Sequence, residues 1–268
     1  MENGGNKIEI KVYTCGSCKN NLAHVFKGYG KEIRFFPAMV VLIKHKDFGN
    51  ILYDTGYSPL IYKNHFVSFL YNTLNKSYVT EDDTIVSKLQ ADGMNPDSIK
   101  KVILSHAHPD HIGGLKLLSD YELISTKKVL DTLKNGNVFQ LVFRNMKPEN
   151  NVRYQSVQEW KGDSFLAKYF PKVYDVLGDG SVLGVELNGH ADGQLGIYLP
   201  EHQIFFAADV CWGTDLMCRV KDMRFVAKMI QNNYKEYVET IDRIQRFMEE
   251  HAEVKVMFTH DVRKGESS

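Results

Sequence analysis

From Val102 to Gly114 the chain reads V-I-L-S-H-A-H-P-D-H-I-G-G, and no other stretch limits its fold so narrowly. The apolar run Val102 to Leu104 leads into four metal-capable side chains: His106, His108, Asp110 and His111. This pattern predicts a buried strand that stops at a sheet edge, where crowded side chains can converge on one point. His106 and His108 are two apart, so extended backbone sends them the same way. Pro109 ends the extended piece and suits the first turn of a helix, where no backbone N–H is needed. Asp110 and His111 then fall in that turn, whose electropositive end keeps a carboxylate ionised. Gly113 and Gly114 let another backbone come close. Imidazole with carboxylate suits Zn, Fe or Mn better than Ca or Mg. One corner can therefore serve two ions, one at His106 and His108, the other at Asp110 and His111.

H-x-H-x-D-H followed by G-G resembles the signature of the metallo-β-lactamase-fold hydrolases. The family's other elements follow in its order. I-L-Y-D-T-G supplies Asp54, N-G-H-A-D-G-Q-L-G supplies His190, I-F-F-A-A-D-V-C-W supplies Asp209, and V-K-V-M-F-T-H-D supplies His260. Singly, each is an ordinary turn or strand-end residue, such as a capping aspartate. Their order, across residues 51 to 260, is what carries weight. The resemblance implies an α/β protein, a four-layer αβ/βα sandwich, with two Zn ions (Fe or Mn as alternatives). It implies that His106, His108 and His190 hold one ion. Asp110, His111 and His260 would hold the other, with Asp209 bridging the two. Asp54 is expected to orient a ligand. Zinc lowers the pKa of bound water to roughly 7, so a bridging hydroxide would attack a carbonyl that the ion pair polarises. Asp110 is also a catalytic candidate, protonating the leaving oxygen or sulfur.

Within the family the pattern looks most like the N-acyl homoserine lactone lactonase branch, which implies hydrolysis of a lactone, ester or thioester. That branch usually carries a tyrosine three residues after the bridging aspartate. Here the position is Trp212, whose indole donates one N–H but cannot act as a phenol. Trp212 is therefore the second catalytic candidate. The departure favours thioesters or activated esters, whose leaving groups depart easily, or a lactone oriented by its acyl tail. The segment Leu60 to Leu74 predicts one or two helices, with Tyr62, Phe66, Phe69 and Tyr71 as candidate lining of an acyl pocket. Another reading is a mononuclear iron, persulfide dioxygenase-like enzyme. His260 and Asp110 in ligand-like places speak against it, and the C-G-S-C of Cys15 and Cys18 speaks weakly for it. A non-catalytic scaffold fits least.

Lysine plus arginine and aspartate plus glutamate number 33 each, with no basic tract. That argues against a dedicated nucleic-acid binder, and the resemblance implies a small-molecule substrate, with an acyl group, as the expected partner. Met1 to Lys7 lacks an apolar region behind it, and no apolar run approaches a membrane span. Cytoplasmic placement follows, and four cysteines agree with a reducing compartment. Cys211 and Cys218 are too far apart to make a good zinc half-site with Cys15 and Cys18. The simpler expectation is four thiols, with Cys15 or Cys18 near the site mouth as a second.

Strands are predicted at 8–13, 35–44, 50–54 and 100–105, with a helix at 82–92. In the second half, 172–176 and 182–187 flank Gly178-Asp179-Gly180, a hairpin signal. Short strands follow at 194–199 and 203–208, and the last at 254–258. Residues 222–250 read as helix, with Phe225, Met229, Val238, Ile241, Ile244 and Met248 on repeating faces. Strands followed by helices, twice over, predict helix layers outside a sandwich. One domain, 1–268, is expected.

Overall fold

The run F-F-P-A-M-V-V-L-I-K is apolar at consecutive positions because both faces of its strand are covered. A computed structural model describes residues 7–63, 69, 71–73, 75–149 and 152–262. In it Val41 and Ile43 pack between two sheets, against Leu195, Ile197 and Phe206. Val40 and Leu42 face the other way, into a cluster that contains Ile85 and Leu89 of the helix Ile85–Ala91.

The first sheet is built from β1 (Ile8–Asn21), β2 (Ile33–His45), β3 (Gly49–Tyr53), β4 (Lys76–Tyr78), β5 (Ile99–Ile103), β6 (Glu122–Ser125) and β7 (Arg153–Ser156), in the order β4-β1-β2-β3-β5-β6-β7. The second holds β8 (Gln158–Glu159), β9 (Val173–Asp175), β10 (Leu183–Glu186), β11 (Leu195–Leu199), β12 (Ile204–Phe206) and β13 (Lys255–Met257), in the order β13-β12-β11-β10-β9-β8. Both are mixed, and helices cover their outer faces: the predicted sandwich. Helix Tyr234–Glu250 buries Tyr237, Thr240, Ile241, Ile244 and Phe247, at three- and four-residue spacing, with Phe247 edge-on to Phe205 of β12. The sheets are tied near their carboxyl edges, where Leu195 N donates to Ser105 O at 2.9 Å.

The elements differ from the predicted ones in several places. β1 runs on to Asn21, so C-G-S-C lies inside a strand. A register shift between Thr14 and Ser17, with Gly16 at φ +80°, absorbs the irregularity and lets pairing resume. The 222–250 stretch is two helices, Phe225–Met229 and Tyr234–Glu250. Asn233 starts the second by accepting from Glu236 N, and the break turns Phe225 and Met229 outward, 75% and 69% exposed. Between Glu122 and Glu159 the chain forms β6, β7, β8 and helix Lys127–Asn135, none of them predicted. Of the segment 60–74, Pro59–Tyr62 is a 3₁₀ turn and Phe66 lies outside the described residues. Among the described residues no helix is long and apolar enough to cross a membrane.

Candidate metal centre

Strand direction explains how distant residues meet. β3 and β5 are parallel, so Asp54 and His106 leave the first sheet at one edge. β12 and β13 are parallel, so Asp209 and His260 leave the second at the same end of the sandwich. His190 comes from the turn between β10 and β11. The short helix Pro109–Ile112, with Pro109 in its first turn, brings Asp110 and His111 over the spot. It sits tightly on the D-T-G turn. A Cβ at Gly113 would stand 2.5 Å from Gly56 O, and one at Gly114 would stand 2.8 Å from Thr55 O.

Seven side chains converge. Three overlapping groups each have their ligand atoms within 4.8 Å of one another: His106, His108 and His190; His106, His111 and Asp209; Asp110, Asp209 and His260. Asp209 is the hub. Its carboxylate oxygens lie 3.1 Å from His260 Nε2, 3.3 Å from His111 Nε2 and 3.5 Å from His190 Nε2. His111 groups with His106 and Asp209, and its Nε2 is also 3.6 Å from Asp110. All are buried except His108, which is partly open.

Outer contacts fix which nitrogen of each ring faces inward. His190 Nδ1 donates to Gln231 Oε1 at 2.8 Å, since an amide oxygen only accepts, so Nε2 turns to the centre. His260 Nδ1 donates to Pro37 O at 2.8 Å, with the same effect. His111 Nδ1 donates to Asp54 Oδ2 at 2.8 Å. Asp54 also accepts from Ser105 N and Ser105 Oγ, both at 2.7 Å. Gln231, Pro37 and Ser105 were not anticipated. Ser105 directly precedes the motif, but a backbone carbonyl and a glutamine at a helix break give no sequence signal.

The donor set fits metal ions. Among the described residues His106 Nε2, His111 Nε2 and Asp209 Oδ1 are buried without a hydrogen-bond partner, which is costly unless a cation takes up their lone pairs. His108 Nδ1 and His190 Nε2 stand 3.0 Å apart, a separation suited to two ligands of one ion. The protonation tendencies divide the site. Burial, then neighbouring histidines, hold His106 and His108 neutral, well below the usual imidazole range. Burial would do the same to His111 and His260, but Asp209 and Asp110 outweigh it, raising His111 well above its usual value and His260 to about 9. Asp209 is buried, which alone would raise it, yet His260 and His111 hold it well below the carboxylate range. Positive charge is thus wanted on the aspartate side, and protons or metal ions compete for it.

Two of the openings that border the cluster concern its inner ligands. One is lined by Cys18, Tyr57, Tyr71, Asp110, Trp212 and His260 among others. Trp212 is partly buried there, with Phe36 edge-on at 6.2 Å. The other, about 230 Å³, passes His106, His108 and His190 and is bordered by Leu141, Met229 and Ile230. Of the expected acyl lining, Tyr71 faces the first opening, Tyr62 donates to Ser77 O instead, and Phe69 is 74% exposed. Cys15 is buried beneath the D-T-G turn, its carbonyl accepting from Tyr57 N. No metal-capable group among the described residues includes a cysteine.

The profile of the metallo-beta-lactamase superfamily matches residues 33–247. The chain belongs to that superfamily. Its motif pattern is similar to that of the lactonase-like branch. N-acyl homoserine lactonase AiiB of Agrobacterium fabrum is 31% identical over 90 residues, a stretch covering 33% of this chain and 32% of that protein. The match therefore spans about a third of the relative. An N-acyl homoserine lactone hydrolase, solved with N-hexanoyl-L-homoserine at its catalytic metal centre, superposes with TM-score 0.71 at 17% identity, covering 94% of this chain and 93% of that one. AidC, a dizinc quorum-quenching lactonase, does so with TM-score 0.68 at 13% identity, covering 97% and 90%. These two likenesses concern the fold.

Proposed function

We propose that this superfamily member is a dinuclear hydrolase that cleaves the acyl bond of a small lactone, ester or thioester. The observation that carries the reading is the set of buried atoms His106 Nε2, His111 Nε2 and Asp209 Oδ1, without a hydrogen-bond partner among the described residues, inside a seven-residue cluster. His106, His108 and His190 would hold one ion. Asp110, His111 and His260 would hold the other, and Asp209 would touch both. Zinc suits this donor set, with iron or manganese as substitutes. Bound there, a pair of ions supplies an activated water and polarises the substrate carbonyl.

The chain's own residues do the rest. Asp54 steadies His111, while Gln231 and Pro37 O fix the rings of His190 and His260. Asp110 borders the opening, where it can pass a proton to the leaving atom. Leu141, Met229 and Ile230 offer an apolar wall to an acyl group. Support for an acyl lactone comes from the related lactonases, and it is the first substrate to try. The placement of His260 3.6 Å from Asp110 and 3.1 Å from Asp209 speaks against a mononuclear iron dioxygenase. Zero formal net charge gives no basis for nucleic-acid binding. A site built from both halves favours one domain, and a cytoplasmic setting agrees with the cysteine content.

The test is metal analysis of metal-supplemented protein with a screen of acyl lactones, S-acyl thioesters and aryl esters. About two transition-metal ions per chain are expected, because seven ligands exceed one tetrahedral site. His260→Ala should lose one and keep the other. One ion per wild-type chain would make the dinuclear assignment wrong, and no turnover of any of these substrates would end the hydrolase reading.

A further inference from the structure

Trp212 stands where the lactonase branch would offer a phenol, yet the opening beside it is not short of phenols. Tyr57 and Tyr71 line it together with Asp110, His260 and Trp212. Both are buried, and their hydroxyls are 2.7 Å apart. Tyr57 is seated by its own backbone, Tyr57 N donating to Cys15 O at 2.9 Å. Tyr71 packs edge-on against Phe143, with ring centroids 5.4 Å apart. Two rigidly held rings therefore present one paired hydroxyl group to the opening.

Each phenol has a single proton. In the pair one O–H is used between the two oxygens, and the other is left to donate elsewhere. When Tyr57 donates to Tyr71, the spare donor is the Tyr71 hydroxyl. Accepting one hydrogen bond polarises that hydroxyl and strengthens it as a donor. Burial, followed by the negative charge of Asp110, holds both phenols protonated, so the pair serves as a donor and not as a base. A buried donor facing a site from which water is displaced is most useful to an oxygen that gains charge.

We propose that Tyr71, its hydroxyl fixed by Tyr57, donates a hydrogen bond to the leaving oxygen of the substrate, in place of a phenol at position 212. This rests on the hydrolase reading and narrows its substrate class to oxygen esters and lactones. A sulfur leaving group is a weak acceptor and gains little from an O–H donor. The preference for thioesters that Trp212 alone suggests is thereby reversed. No proton is transferred by the pair.

The experiment compares wild type with Tyr71→Phe, Tyr57→Phe and Trp212→Phe on an acyl homoserine lactone and on an S-acyl thioester of the same acyl chain, with metal content and Tm measured for each. Tyr71→Phe should lower lactone kcat about tenfold or more, as loss of an oxyanion donor does. Its KM should stay within about threefold, the mark of a contact made in the transition state. Thioester kcat should fall far less, metal content should be unchanged, and Trp212→Phe should cost less on the lactone than Tyr71→Phe. Unchanged lactone kcat in Tyr71→Phe, or equal losses on both substrates, overturns the assignment. If Tyr71→Phe does not fold, Tyr57→Phe decides, because it keeps Tyr71 but removes its fixing partner. A loss selective for the lactone supports the assignment, and its absence overturns it. Wild type inactive on both substrates overturns the hydrolase reading and this assignment together, whereas an active wild type with an unaffected variant overturns this assignment alone.

Discussion

Asp209 and Asp54 are both buried aspartates at strand ends, but they differ in what depends on them. Asp209 lies within 4.0 Å of four histidines, whereas the Asp54 carboxylate, among the described residues, is held by His111 and Ser105. Loss of an outer contact such as Asp54 typically reduces activity or metal affinity about 10–100-fold. Asp209→Ala should therefore reduce turnover more than Asp54→Ala, with loss of metal from both groups. Equal, mild losses in a side-by-side assay would make Asp209 a structural strand end. Backbone strain marks the same two places. Asp54 at φ +61° and Ala208 at φ +48° hold left-handed conformations that L-residues avoid. The ligand-capable residues were legible in the sequence because only a few residue types bind transition metals and one corner concentrates four of them. Their supports were not. Pro37 acts through its carbonyl, which any residue possesses, and Gln231 gains its role from a break in a helix.

Among the elements, those with a strong period or a firm turn signal were readable. The Gly178-Asp179-Gly180 hairpin forms as expected, with β9 and β10 antiparallel. The 222–250 stretch misled because its apolar spacing continues through Asn232 and Asn233, where capping wins over periodicity. β10 also carries a polar anchor. Glu186 accepts from Tyr174 Oη at 2.6 Å, Lys172 Nζ at 2.9 Å and Asn188 Nδ2 at 3.2 Å. Burial alone would raise its pKa, but Tyr174 and Lys172 bring it below the ordinary 4.5. A carboxylate whose folded pKa is depressed adds stability above its unfolded value, and that stability is lost as pH falls through the folded one. Glu186→Gln should thus be less stable than wild type by about 1–2 kcal/mol at pH 7. The gap should close in acid, below the ordinary value. Urea unfolding across pH checks this, and a gap independent of pH would remove the carboxylate from the account.

At the scale of the whole molecule, the sandwich was readable from strands followed by helices in each half. The stretch between Glu122 and Glu159 was not, because its strands have two to four residues, too short for a period. What joins the halves has a consequence beyond chemistry. The corner His106–His111 belongs to the sheet of β5, while His190, Asp209 and His260 belong to the other sheet. An ion held by both groups binds only a chain whose two halves are already docked. By linkage such a ligand stabilises the folded state by about 2.7 kcal/mol per site at a hundred times its Kd. Chelation should therefore lower Tm and restored zinc should raise it again, and a Tm indifferent to both would mean that the sheets hold together unaided. The lifetime of this protein against proteases would then follow the metal supply around it, and scarcity would thin out the enzyme population as well as idle it.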